Sequence, residues 1–203
     1  MNHIVFQSKC QGYSHIKSDL ECQDSTLVKK TEKYAIAVVA DGHGSASYFR
    51  SSRGSLFATE AAITAIEELL ETILSDKSNM DDFCASIDKH LIQLERSVIA
   101  RWHERVEDDY SKNPFLDSEI LKVDEKHKEK YLKGERIEAA YGSTLIAVAC
   151  TDAFWFGIHI GDGKCITCDY RGNFAEPIPW DEKCFLNKTT SICGSDALRD
   201  FRH

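Results

Sequence analysis

The chain has no apolar run close to the ~20 residues that a membrane-spanning helix needs. Its longest apolar stretches, Tyr34–Ala40 and Leu145–Cys150, have the length of core strands. The opening residues, MNHIVFQSKC, lack the basic start and apolar stretch of a secretory signal. A basic excess is missing too: 25 Lys and Arg stand against 33 Asp and Glu, a net charge of −8. Nucleic acid and anionic membrane are therefore poor partners, because phosphate-rich surfaces require a basic footprint. An acidic chain suits divalent cations better. Repeats and low-complexity tracts are absent. So are several standard motifs. Gly163-Lys164-Cys165 lacks the earlier glycine and the hydroxyl of a phosphate-binding loop, and His103-Glu104 has no second His at metalloprotease spacing. The loop after Asp41 carries Ala46 where a calcium-binding loop needs Gly.

The eight cysteines are scattered, and with no export signal they read as reduced thiols of a cytoplasmic protein. Cys165 and Cys168 have the spacing of half a zinc site. Cys184 and Cys193 do not supply a matching second pair, and residues three apart on a strand face opposite ways.

A length of 203 residues suits one domain with a substantial core. Tyr34–Ala40 reads as a strand buried on both faces and runs directly into Asp41-Gly42-His43-Gly44. Two amphipathic helices follow. Leu56, Ile63, Ile66, Leu70 and Ile73 share one face of the first; Phe83, Ile87, Leu91, Leu94, Val98 and Trp102 share one face of the second. Asp81 and Asp82 stand where the second helix wants a cap, and the short polar link Ser75–Asn79 predicts an antiparallel pair. Within Glu107–Arg136, 16 of 30 residues are charged with mixed signs, which predicts a solvated insertion or the frayed end of the second helix. Tyr141–Cys150 and Ala153–Ile160 form a hairpin, and the turns Gly161-Asp162-Gly163 and Arg171-Gly172-Asn173 extend the run of antiparallel strands. The pattern predicts an α+β fold in which helices cover antiparallel sheets.

The carboxylates at strand ends carry the chemical signal. Asp41 ends a buried strand, Asp162 occupies a similar strand-end turn, and Asp24 lies in Cys22-Gln23-Asp24-Ser25. Carboxylates converging at a sheet end suit a hard cation such as magnesium or manganese. Asp also favours turns for purely local reasons.

Gln23-Asp24, Val39-Ala40-Asp41-Gly42-His43-Gly44, Tyr141-Gly142-Ser143-Thr144 and Ile160-Gly161-Asp162-Gly163 resemble, in order, the motifs of the metal-dependent protein phosphatases of the 2C type. The resemblance spans about residues 4–170. It implies a four-layer α-β-β-α sandwich with two antiparallel sheets flanked by antiparallel helix pairs. It also implies a hydrolase that attacks phosphoserine or phosphothreonine in protein substrates through a metal-activated water, with no covalent enzyme intermediate. Asp41 is then the central catalytic ligand bridging two magnesium or manganese ions. The Gly42 carbonyl completes one coordination shell, Asp24 holds coordinated waters, and Asp162 helps with a weaker third ion. Gly142-Ser143-Thr144 is a close-packed strand rather than a nucleophile.

The sequence departs from that pattern in several places. Gln23 stands where the family usually has Glu, and Asp19 where it often has the phosphate-binding Arg. Arg50 and Arg53 are the first substitutes for that arginine, with His15 and Lys17 behind them. Ser195-Asp196-Ala197 resembles the family's late Ser-Asp-Gly element, which makes Asp196 a possible late metal ligand, and no Asp-Asn follows before His203. The expectation is a piece of a longer phosphatase, incomplete at its C-terminal end. The alternative is a catalytically impaired, phosphatase-like regulatory or phosphoprotein-binding domain.

Overall fold

A computed structural model describes residues 3–17 and 20–203. Asp19 lies outside the described residues. The strands β1 (Asp24–Lys30), β2 (Tyr34–Asp41), β3 (Leu145–Thr151) and β4 (Trp155–Ile160) form one antiparallel sheet in the order β1-β2-β3-β4. Strands β5 (Thr167–Cys168) and β6 (Phe174–Ala175) form a second, two-stranded antiparallel sheet around the Asp169–Asn173 turn. The expected α+β architecture of antiparallel sheets and packed helices is what the chain adopts.

The residue pattern sets the faces of the main sheet. Alternate residues of a strand point opposite ways, and in register Val38 meets Ala147, which meets Ile158. Ile36, Val38, Leu145, Ala147, Ala149, Ile158 and Ile160 are all fully buried against the helices. The opposite face carries Asp24 and Asp41 at one end, with Val39 nearly half exposed beside them. No helix of the described residues is long and apolar enough to cross a membrane.

After a short helix α1 (Tyr13–Lys17), the helix pair is α2 (Ser51–Ile73) and α4 (Ile87–Lys112), joined through α3 (Lys77–Ala85). Spacing of large apolar residues places Leu56 in the core of α2, but Leu56 is 41% exposed. The buried face is instead Ala58, Ala61, Ala62, Ala65, Ile66, Leu70 and Ile73. Small side chains let the helix approach the sheet closely, so alanines carry a face that a search for large residues misses. Gly54 shows how close the approach is. A Cβ there would lie 1.8 Å from the Tyr141 carbonyl oxygen, while the Gly54 carbonyl accepts the indole N–H of the fully buried Trp102 at 3.0 Å. Gly54→Ala is expected to destabilise the protein by ~3 kcal/mol, because neither backbone can give way cheaply. Urea denaturation measures it, and a change below ~0.5 kcal/mol would show the approach to be looser than described.

The second predicted helix is two helices, with α3 ending at Ser86. Its cap is Asp76, whose carboxylate accepts the Asn79 N–H at 2.9 Å, and not Asp81 or Asp82. Ile87 is 39% exposed, while Phe83, Leu91, Leu94, Val98 and Trp102 are buried as expected. The charged segment also differs from expectation. After α4 it forms α5 (Asp117–Ile120) and α6 (Glu125–Leu132), and Ile120, Val123 and Tyr131 join the core. Its charges lie outward while a few apolar residues, sparse enough to hide any periodicity, anchor it.

Candidate functional site

Asp24 and Asp41 are directly opposed across β1 and β2. Opposed residues in an antiparallel pair share a face and stand ~5 Å apart at Cβ, an arrangement that disfavours two like charges. Both line a cleft of about 370 Å³ that Lys9, Thr26, Val39, Thr144, Ile146 and Gly163 also line. Burial first, then the charges of Asp24 and Asp162, push the Asp41 carboxyl up to about 6, and His15 pulls the other way. Asp162 follows β4 in the Gly161-Asp162-Gly163 turn, and its carboxylate accepts from the Thr189 hydroxyl at 3.3 Å. Asp24 and Asp162, both read from the sequence, thus act on Asp41 at the same end of the sheet.

The turn after Asp41 is held tightly. A Cβ on Gly42 would lie 2.6 Å from the Ser51 carbonyl oxygen and 2.8 Å from that of Gln23, so only glycine fits. The Gly42 N–H donates to the Gln23 carbonyl at 3.2 Å, and the His43 N–H donates to the Gly142 carbonyl at 3.1 Å. Gln23 donates its side-chain amide to the Ser51 hydroxyl at 2.8 Å and to the His43 carbonyl at 3.3 Å. It ties β1, the turn and α2 together, a structural use of the position where the resemblance expects a charge. His43 packs edge-on against Tyr48 with ring centroids 4.6 Å apart. Burial lowers its pKa against the opposing pull of Asp162, so it is neutral near pH 7.

Ser143 and Thr144 act as packing. The Thr144 N–H donates to the Asp41 carbonyl at 2.9 Å, and the Thr144 hydroxyl accepts the Asp41 N–H at 3.0 Å. The Ser143 hydroxyl is fully buried and donates to backbone carbonyls, those of Thr144 at 2.9 Å and Asp41 at 3.1 Å.

Two sequence readings move. Arg50 is only 5% exposed, and every N–H of its guanidinium is engaged. Nε and Nη2 fork onto Glu119 at 3.0 Å each, Nη1 donates to the Asn113 carbonyl at 2.6 Å and the Tyr141 hydroxyl at 2.8 Å, and Nη2 also reaches the Pro114 carbonyl at 3.1 Å. It has no donor left for a phosphate, since a guanidinium carries five. Arg53 forks onto Asp109 at 3.0 and 3.1 Å. Asp196 sits at the start of α7 (Ala197–Asp200), where Arg199 is its partner at 3.5 Å. Lys9, which the sequence reading missed, donates its ammonium group to the Asp24 carbonyl at 3.3 Å. A lone exposed lysine in a polar stretch gives no sequence signal. Only the fold brings it over the cleft.

The donor set fits a hard cation in part. Among the described residues no three His, Cys, Asp or Glu side chains form a group that could hold a metal ion by themselves, and all eight cysteines are free thiols. An ion taking the Asp24–Asp41 pair and the Gly42 carbonyl would keep much of its water shell, as magnesium commonly does. A sequence model of protein phosphatase 2C matches residues 11–203. No curated protein matches the chain.

Proposed function

The chain belongs to the protein phosphatase 2C family, and from that premise we propose that it hydrolyses phosphoserine or phosphothreonine esters in proteins, with magnesium or manganese at the carboxylate end of the sheet. The observation that carries this reading is the directly opposed pair Asp24 and Asp41, with the charge of Asp162 felt at Asp41. Like charges so placed weaken a sheet, and their use is to receive positive charge. Bound there, hard divalent ions supply that charge to phosphoryl oxygens and acidify water for in-line attack.

The chain's own residues do the rest. Asp41, Asp24 and the Gly42 carbonyl hold the cation, with Asp162 contributing a further negative charge. Lys9 lines the cleft and meets the phosphate oxygens, the role that Arg50 cannot take, with the His15 imidazole close enough to act on Asp41. Ser143 and Thr144 have their hydroxyls bonded to backbone, so water rather than a side-chain hydroxyl attacks. A soluble phosphoprotein is the partner, and no nucleic acid is required.

The test is hydrolysis of a phosphothreonine peptide in manganese, with and without a chelator. Turnover that is lost on chelation, with no phosphorylated enzyme on rapid quench, is the expected result. Chelator-insensitive turnover would sink it. A second reading, a phosphatase-like module that binds phosphoproteins without turning them over, is favoured by one observation. Gln23 serves as a structural tie, and among the described residues no dense ligand group surrounds Asp41. Calorimetry with manganese separates the two, since binding at two sites counts against the module.

A further inference from the structure

Gly161 has φ +116, a conformation that side-chain-bearing residues rarely adopt, and a Cβ on it would lie 2.5 Å from Thr144. A glycine between β4 and Asp162 leaves that carboxylate free to swing unless something outside the turn fixes it. The chain supplies three such bonds, all from residues 181–202. The Gly161 N–H donates to the Thr190 hydroxyl at 3.1 Å, the Gly161 carbonyl accepts Arg202 Nη2 at 3.0 Å, and Asp162 accepts the Thr189 hydroxyl at 3.3 Å.

A buried layer supports these contacts. The Thr190 hydroxyl donates to Asp181 Oδ2 at 2.8 Å, which leaves its lone pairs for Gly161. Arg202 Nη1 pairs with the same Asp181 oxygen at 3.0 Å. The backbones of Arg202 and His159 exchange both hydrogen bonds, at 2.8 and 2.9 Å, which registers this segment against β4. His159 is 3% exposed and its Nδ1 lies 3.4 Å from Arg202 Nη2, so Nδ1 accepts. Burial and the Arg202 charge push the imidazole down to about 4, which keeps it in that neutral accepting form. A buried ion pair is a weak source of stability in general. Here the Asp181–Arg202 pair and both threonines converge on one turn that has no core side chain of its own.

We infer that Thr189 and Thr190, backed by Asp181 and Arg202, are positioning residues that hold the Asp162 carboxylate toward Asp41. The inference rests on the phosphatase reading for its purpose, though not for its geometry. Partners of this kind typically change metal affinity by about 10–100-fold when removed. Thr190→Val keeps the shape and deletes the hydroxyl. It is expected to weaken manganese binding about tenfold by calorimetry, and to speed hydrogen exchange at the Gly161 amide, while Thr190→Ser restores both. In an Asp162→Asn background, Thr190→Val is expected to add nothing to the loss of affinity, because it acts through Asp162. Thr189→Val, at a half-buried site, provides the same comparison should Thr190→Val fold poorly. Unchanged Gly161 exchange in Thr190→Val, or manganese losses that simply add in the double variant, would overturn the inference. If the wild type binds no manganese at all, the phosphatase reading fails, and Gly161 exchange still decides whether Thr190 fixes the turn.

Discussion

Asp41→Asn is expected to lower kcat/KM for manganese-dependent phosphomonoester hydrolysis by at least about hundredfold, a change of ~2.7 kcal/mol in transition-state stabilisation. The substitution keeps size and hydrogen bonding near Thr144 while removing the charge that faces Asp24. It also has a thermodynamic signature that a structural defect lacks. The Asp41 carboxyl titrates near 6 in the fold, raised above its ordinary 3.8, so the fold favours its protonated form. The stability this contributes is fully present below about 3.8 and is lost as pH rises through about 6. Metal-free wild type should therefore lose stability across that window, and Asp41→Asn should not. Thermal melts in chelator from pH 4 to pH 8 check the slope, and assays in manganese check the rate. Undiminished hydrolysis by the variant would remove Asp41 from the mechanism.

Arg50→Met is expected to cost ~3–5 kcal/mol of stability, the usual consequence of removing one member of a buried ion network. The loss leaves Glu119 without its cation, and Asp109 with Arg53 and the Tyr141 hydroxyl alone. Burial raises both carboxyls; the Arg50 hydrogen bonds outweigh it at Glu119, and the Tyr141 hydroxyl and Arg53 outweigh it at Asp109, so both lie below the ordinary range. Arg50 also lies over the Phe115 ring at 4.7 Å, so α4, α5 and the start of α2 loosen together. For a chain of this length the midpoint should fall by roughly 10 °C. At a temperature where the variant remains folded, KM for a phosphopeptide should match wild type. A selective rise in KM with little change in melting temperature would restore Arg50 as a phosphate ligand.

The contrast between these two residues shows how much the sequence discloses. Asp41 was legible because a run of buried apolar residues ends on it and a glycine-bounded turn follows, so its place at a strand end is local information. Asp24 was legible as a strand-end carboxylate that could converge with Asp41, but its direct pairing with Asp41 was not, because register is a pairing property. Arg50 carried the same local credentials as Asp41, a charged residue just beyond the motif, yet its role is decided by Asn113, Pro114 and Glu119, more than 60 positions away. The strands of the main sheet were readable from their apolar runs. The buried face of α2 was only half readable, since alanine carries little periodic signal, and the helices within Glu107–Arg136 were hidden by their charge. Lys9 and the Thr189–Thr190 contacts belong to segments without regular periodicity, where only three-dimensional closure assigns a role.

The pairing of Asp24 with Asp41 makes the length of a hairpin part of the proposed cation site. These residues close the far end of the β1–β2 ladder, while Thr31 to Lys33 turn the near end, with the Thr31 hydroxyl accepting the N–H groups of Lys33 and Tyr34 at 3.1 Å each. Side chains alternate with a period of two, so one inserted or deleted residue in either strand sends one carboxylate to the helix-covered face. Point substitutions there change a side chain, whereas a single-codon insertion or deletion would dismantle the proposed cation site while leaving both aspartates in the chain. The proposed function therefore depends on counting as well as on chemistry: the number of residues between the two aspartates matters as much as their identity.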